Sequence, residues 1–464
     1  MRVARHRTGG QDVRAVAGRR VLVDGALRPA TVHIEAGRIT AVTSYDAGVA
    51  AGADVLLVPD TACVLPGVVD THVHVNEPGR TEWEGFATAT RAAALGGVTT
   101  LVDMPLNSLP ATTSVAALRA KQEVARDQVS VDVGFWGGAV PESLGRLEEL
   151  WEAGVFGFKC FLAPSGVEEF PALDEAGLRA ALAEVAAFDG LLIVHAEDAD
   201  VLDAAPHPPS RAYADFLLSR PPEAETAAID RLLDGAAATG ARVHVLHLSS
   251  ARALDRLAAA RGDGVRVSVE TCPHYLCFAA EQIPDAAPAF KCCPPIRDEG
   301  NRDALWDGLT SGVIDMVVSD HSPATAQMKC AGDGDLQQAW GGISGLQVSF
   351  AAVAQEAGRR GIGIEQVSAW MSRSTADLIG LDTKGRIEVG ADADLLVHDT
   401  AAPLTVAAEH LAHRNPISAY DGMALSASVT HTLVRGRVVA GLPNGPHSSD
   451  EPVPPAGRLL ERTR

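Results

Sequence analysis

The sequence predicts an α/β protein in which a (β/α)8 TIM-like barrel carries a small β-sandwich domain built from both chain termini. Three observations lead there. Eight apolar runs alternate with helical stretches through the middle of the chain. A hairpin-like phrase near the N-terminus is echoed near the C-terminus. The 464 residues, 47% of them hydrophobic, suffice for one large barrel and an accessory domain. The expected division is 1–65 and 376–464 for the two parts of the β-domain, and 66–375 for the barrel.

Taken in chain order, RRVLVDG, TVHIEAGRITAV and ADVLLVPDTACVL in 19–65 alternate apolar residues with turn signals and so predict short strands. IEAGRITAV near residue 34 returns as LVRGRVVAG near residue 433. Each has an apolar run, a glycine beside charges and a second apolar run, as a hairpin requires. The barrel strands are predicted at 68–75, 98–104, 131–136, 155–162, 191–196, 243–248, 265–270 and 313–320. The connection between the seventh and eighth is longer and irregular. In TEWEGFATATRAAALGG, Thr81 and Glu84 form a capping-box pair. Trp83, Phe86, Thr90 and Ala94 follow as a helical stripe, and Gly96-Gly97 closes the helix. After the second hairpin, GLPNGPHSSDEPVPPAG leads into a tail, expected to be mobile or packed along the surface.

Charge narrows the function. With 39 Lys+Arg against 59 Asp+Glu and a net charge of -20, the chain lacks the basic cluster that nucleic acid or an anionic membrane needs. No window approaches 18 uninterrupted apolar residues, and basic MRVARHRTGG has no apolar core, so neither a membrane span nor a signal peptide is expected. Seven cysteines show no disulfide spacing; Cys272, Cys277, Cys292 and Cys293 are expected as buried thiols in a reducing cytoplasm. Lysine is scarce, with only Lys121, Lys159, Lys291, Lys329 and Lys384.

Barrel active sites lie at the C-terminal ends of the strands. The first strand ends in Asp70-Thr71-His72-Val73-His74, and alternation places His72 and His74 on one face, spaced to chelate a metal ion. Lys159 lies in VFGFKCFL. Either it reaches to solvent, or burial among Phe158, Cys160 and Phe161 keeps it neutral, able to add carbon dioxide and become a bidentate carbamate. His195 and His247 each follow a branched apolar run, as metal ligands or as core histidines; His244, of opposite parity, takes the structural role. Asp320 ends the eighth strand, as a ligand or a helix N-cap. Six such residues at the ends of five strands favour a shared metal centre over coincidence.

The order HxH, Lys, His, His, Asp on a barrel flanked by a split β-domain resembles the amidohydrolase superfamily. Within it, the chain is similar to the cyclic-amidase branch of dihydroorotases, hydantoinases and allantoinases. It resembles allantoinases most, through PGVVDTHVHVNEPGRTEWEGF, DMPLNSLPAT, GFKCFLAP, ETCPHY, KCCPPIRD, SDHSP and AWGGISGLQ. Dihydroorotases carry a carboxylate-binding arginine where this chain has Asn76 and a histidine where it has Ala324; hydantoinases carry a tyrosine where it has Pro164. Removing both carboxylate partners would leave that anion unpaired.

The resemblance implies hydrolysis of the hydantoin ring amide of allantoin to allantoate by water activated between two divalent ions. His72, His74 and Asp320 would hold one ion, His195 and His247 the other, with Lys159 bridging as N6-carboxylysine. Asp320 would move the proton from water to the leaving nitrogen. His and carboxylate donors suit zinc, with cobalt, manganese or iron as alternatives. Asn107, Cys272, Ser322 and Gly342 are implied substrate contacts, with turn and cap roles as their alternative; Glu77 and Arg80 would position the first loop. A homo-oligomer, commonly a tetramer in the branch, is implied. A cyclic amidase of other specificity is the alternative enzyme, and a metal-free scaffold of the same fold the non-enzymatic one.

Overall fold

The computed structural model describes residues 12–50, 52, 54–441 and 455–462. All eight predicted runs contain barrel strands: Val68–Val73, Val98–Asp103, Asp132–Phe135 continued by Gly137–Gly138, Phe158–Phe161, Leu191–His195, Arg242–Val245, Val267–Thr271 and Met316–Val317. Neighbours pair in parallel throughout. Helices cover the outside while side chains fill the inside, so most of these strands are buried on both faces. This double burial explains why they read as unbroken apolar runs instead of alternating ones.

The ring closes between its first and last strands. Val73 bridges His321 in parallel, and the His74 amide donates to the His321 carbonyl at 2.9 Å. The buried Asp70 carboxylate accepts from the His72 amide at 3.1 Å and the Ser319 amide at 3.2 Å. Of the eighth predicted run, only Met316–Val317 keeps ladder geometry; the chain then turns, and Asp320 takes a positive φ of 43°.

The first helix differs from its predicted start. It runs Phe86–Leu95 behind Gly85, which has a φ of 139° and offers no side-chain cap. Thr81 and Glu84 are therefore not a capping box. Glu77 reaches over instead: its Oε2 accepts from the Phe86 amide at 2.8 Å while its Oε1 accepts from Thr81 Oγ1 at 3.2 Å. A carboxylate in this position satisfies the open N–H groups and opposes the helix dipole.

The β-domain is one folded sheet drawn from both ends of the described chain. Its order is Arg437–Gly441, Ser428–Val434, Leu395–Asp399, Ala62–Pro66, Ala15–Val23, Ala26–Glu35 and Arg38–Ser44, with Val55–Leu57 also on Ala15–Val23. An irregularity between Gly18 and Val21 lets that strand pair Val55–Leu57 with one half and Ala62–Pro66 with the other. The sheet thus folds over its own core, in which Val16, Val32, Val64, Leu395 and Leu433 meet apart from the barrel interior. The two echoed phrases are its hairpins. Ala36-Gly37 and Arg435-Gly436 turn with all four φ angles positive.

Two features fasten the lower end of the barrel. Lys384 lies among Asp132, Asp394 and Asp392, at 2.6, 2.6 and 3.0 Å, and Arg435 pairs with Asp132. Residues 455–462 run along the start of the third strand, where Leu459 bridges Val133. Residues 442–454, which carry most of the predicted tail phrase, lie outside the described residues. Among the described residues no helix is long and apolar enough to cross a membrane.

Candidate metal centre

The barrel brings His72, His74, Lys159, His195, His247 and Asp320 to one buried cluster at its mouth. Alternation along the first strand turns both histidines of HxH inward. His72 Nε2 lies 3.2 Å and His74 Nε2 3.6 Å from Asp320 Oδ1; these donor atoms all fall within 4.8 Å of one another. Lys159 Nζ is 3.4 Å from His72 Nε2. His195 Nδ1 and His247 Nε2 approach to 3.0 Å on the other side, and the His72 and His247 rings are 5.4 Å apart. His247 and Asp320 sit just past their strands with φ of 35° and 43°. Such left-handed conformations at non-glycine residues are strained and concentrate where a site dictates side-chain direction.

Outer carboxylates set which nitrogens face the centre. His72 Nδ1 donates to Glu270 Oε1 at 2.5 Å, and His195 Nε2 donates to Glu197 Oε2 at 2.8 Å. Glu270 also receives the His247 amide at 3.2 Å and His244 Nε2 at 3.0 Å, so His244 supports the site from the structural position that its parity predicts. With the outer nitrogens engaged, the inner nitrogens of both rings are left as lone-pair donors, the arrangement metal-binding histidines use. Burial, followed by the nearby Lys159 charge, pulls His72 and His74 well below the usual imidazole range. His247 is lowered likewise, by burial and then by His195. Burial also lowers Lys159 to about 8 and raises Asp320 to about 7. Neutral imidazoles, an amine near its neutral form and a carboxylate make a donor set suited to divalent cations.

A cavity of about 320 Å³ opens over this cluster. Asn107 and Ser322 line it, and each is tied in place: Asn107 Nδ2 donates to Asn76 Oδ1 at 3.1 Å, and Ser322 Oγ to Asp320 Oδ1 at 2.8 Å. Gly342 also lines it. Its φ is 129°, and a Cβ there would lie 2.3 Å from the Ser322 carbonyl, so only glycine fits. Its N–H already donates to the Lys291 carbonyl at 2.9 Å, and its own carbonyl accepts from Lys329 Nζ at 2.5 Å. Its part is therefore close approach more than a free N–H. Cys272 is fully buried and absent from the wall, where Cys292 and Cys293 appear instead. Arg80 pairs with Glu169 and donates to the Asn107 carbonyl at 2.9 Å, so it does position the first loops.

Sequence reasoning missed Glu197, Glu270 and Arg220. Glu197 stands two residues after His195, an HxE spacing on the same face, and Glu270 is the penultimate residue of the seventh strand; both signals were open to the parity argument applied to HxH. Arg220, which lines the cavity and pairs with Glu197, lies in a loop with no local signature.

Known proteins resemble this chain over most of its length. The pattern of the amidohydrolase family matches residues 63–439. The chain is 55% identical over 444 residues to the allantoinase of Streptomyces avermitilis, covering 96% of this chain and 97% of that one. It is 45% identical to the Arabidopsis thaliana allantoinase, covering 84% and 79% of the two chains, and 43% identical to that of Saccharomyces cerevisiae, covering 93% and 96%. Among solved structures, the L-hydantoinase (dihydropyrimidinase) of Arthrobacter aurescens superposes with a TM-score of 0.90 at 28% identity, over 97% of this chain and 100% of that one.

Proposed function

The chain belongs to the amidohydrolase family, and from that membership we propose that it hydrolyses the hydantoin ring amide of allantoin, giving allantoate. The observation that carries the reading is 55% identity to an allantoinase across 96% of the chain. Asn76 and Ala324, where dihydroorotases place carboxylate partners, support a neutral ring substrate.

His72, His74 and Asp320 would hold one divalent ion and His195 and His247 a second, with Lys159 between them. The donor set fits, because Glu270 and Glu197 engage the outer nitrogens of His72 and His195. When bound, two such ions supply Lewis acidity for an unstrained amide carbonyl and make water acidic enough to attack near neutral pH. Zinc is the metal of this proposal.

The remaining chemistry belongs to the chain. Lys159, with a pKa of about 8, offers the neutral amine that carbon dioxide requires; the N–C bond forms, one proton leaves, and the resulting carbamate is an anionic bidentate ligand. Asp320 accepts the proton of the attacking water and returns it to the ring nitrogen as the C–N bond breaks. A carboxylate beside the attacking water is well placed for both transfers. Ser322 fixes the Asp320 carboxylate, and Asn107 and Gly342 shape the wall facing the ring. A homotetramer in the cytoplasm completes the proposal; seven free cysteines suit a reducing compartment.

The test is turnover of the purified, metal-loaded protein on allantoin, hydantoin, dihydrouracil and dihydroorotate. Allantoin should be preferred. Dihydroorotate as the best substrate would overturn the reading, and hydantoin or dihydrouracil as the best would move it to a cyclic amidase of other specificity.

A further inference from the structure

Arg220 is a wall of the cavity that the chemistry above leaves unused. It sits between the helices Tyr213–Leu218 and Pro222–Thr239. Its backbone is held on both sides: its amide donates to the Leu217 carbonyl at 3.1 Å, and its own carbonyl accepts from Arg297 Nη1 at 3.2 Å. Its Nη1 donates to Glu197 Oε2, the same oxygen that engages His195. A guanidinium has five N–H donors in a fixed fork, and one is used here. The side chain is 22% exposed, and it lines the cavity. Glu197 is fully buried, so its carboxylate depends on the Arg220 guanidinium and the His195 ring as partners.

The charge state decides what such a group selects. The guanidinium and carboxylate cancel, so the wall presents hydrogen-bond donors without net positive charge. Lys291, also in the wall, has its Nζ engaged by the Gln337 and Ala339 carbonyls at 3.2 and 2.6 Å, which occupy two of its donors. Beside Arg220 an entering group meets the remaining donors of an already paired guanidinium, and a neutral carbonyl needs donors alone. Allantoin differs from hydantoin by an exocyclic ureido group, whose carbonyl is such an acceptor.

We infer that Arg220, braced by Glu197, is a specificity-determining residue that donates to the ureido carbonyl of the substrate and so separates ureido-substituted from plain hydantoin rings. The inference rests on the allantoin reading above. It assigns Arg220 to the exocyclic group, and the ring amide to the metal side.

The experiment compares allantoin with unsubstituted hydantoin in the metal-loaded wild type, Arg220→Met and Arg220→Lys. Hydantoin is followed as substrate, or as competitive inhibitor where turnover is undetectable. Losing the donors of a polar site should lower the preference for allantoin over hydantoin by roughly 10–100-fold in Arg220→Met. Arg220→Lys, which keeps a cation beside Glu197 but not the fork, should fall between. Metal content and melting temperature are read in parallel. Equal losses on both ligands, or a loss that follows metal content, would overturn the inference and leave Arg220 as a brace for His195. A wild type that fails on allantoin while turning over hydantoin would instead overturn the function proposed above. Should Arg220→Met not fold, the Arg220→Lys ratio decides alone: a preference equal to wild type refutes the inference.

Discussion

At the mouth of the barrel Lys159 is buried beside imidazoles; at the opposite end Lys384 is buried among three carboxylates. Both side chains are almost wholly inaccessible, at 1% and 3%, yet the fold treats their charges in opposite ways. Burial alone pushes either amine toward neutrality. Around Lys384, Asp394, Asp132 and Asp392 outweigh burial and hold the ammonium above its ordinary range. Around Lys159, Asp320 and Glu270 pull the same way but do not win, and the pKa falls to about 8. One site is a lock between the β-domain and the barrel. The other leaves a nucleophilic amine available for chemistry. Scarcity of lysine sharpens the contrast, since all five lysines of the chain are buried.

Exchanging each amine for an isosteric apolar group separates the two roles. Lys159→Met should lower turnover by at least about 1,000-fold, while the metal-free protein melts no lower than wild type; unchanged turnover in steady-state kinetics would refute the carbamate bridge. Lys384→Met strands three buried carboxylates and should cost about 3–5 kcal/mol in denaturant unfolding, with turnover per folded molecule retained.

The pH dependence should differ in sign. An amine whose folded pKa is lowered from 10.5 to about 8 burdens the folded state fully below pH 8 and not at all well above 10.5. Metal-free Lys159→Met should therefore gain more stability at pH 6.5 than at pH 9. Lys384, raised above 10.5, contributes fully at every pH below that value and loses its contribution only as the pH climbs beyond it. The Lys384→Met deficit should be the same at pH 6.5 and pH 9, and a deficit that shrinks by pH 9 would mean that its ammonium is not held up by pairing.

A smaller effect tests how the mouth is organised. Glu270 receives both His72 and His244, so Glu270→Gln keeps the shape but weakens the orientation of His72. Metal affinity, measured by competition with a chelator, should fall roughly 10–100-fold. An unchanged affinity would show that packing alone fixes the ring.

The contrast between the two ends also explains what the sequence could reveal. The barrel strands were legible because both faces are buried, leaving unbroken apolar runs, and HxH was legible because alternation is local. The lock around Lys384 was not legible: Asp132 lies more than 250 residues from its partner, and no spacing rule joins them. Glu77 as a helix cap was missed for a related reason. Thr81 and Glu84 have the capping-box spacing, but the loop folds so that a carboxylate nine residues ahead of Phe86 reaches its amide first. Cys272 entered only through the family resemblance, and the cavity is lined instead by Cys292 and Cys293 from the long irregular connection.

The smallest predicted effect lies beside the lock and probes how the chain's end joins it. The third strand has two successive neighbours on one edge. Residues 456–460 accompany its beginning, and the fourth strand takes over at Gly137 and Gly138. The Val133 amide donates to the Arg458 carbonyl at 2.9 Å, and the Leu460 amide returns to the Val133 carbonyl at 2.8 Å. The segment can lie this close because of Gly457: a Cβ there would stand 1.9 Å from the Val131 carbonyl oxygen. That oxygen belongs to the buried residue just ahead of the third strand and has little room to yield, so in Gly457→Ala the terminal segment must move instead. It would draw Arg458 away from Asp132, whose Oδ1 accepts the Arg458 amide at 2.8 Å, and Arg462 from the Trp151 ring, 3.6 Å beneath it. Asp132 keeps Lys384 and Arg435, so the lock itself survives. Gly457→Ala should therefore cost only about 1–2 kcal/mol, the lower range for forced overpacking. Hydrogen exchange should quicken at Val133 and Leu460 while turnover stays at the wild-type level. Slowed turnover in that variant would mean that the two ends of the barrel are coupled through the third strand, and that the division between lock and reactive amine is not a local one.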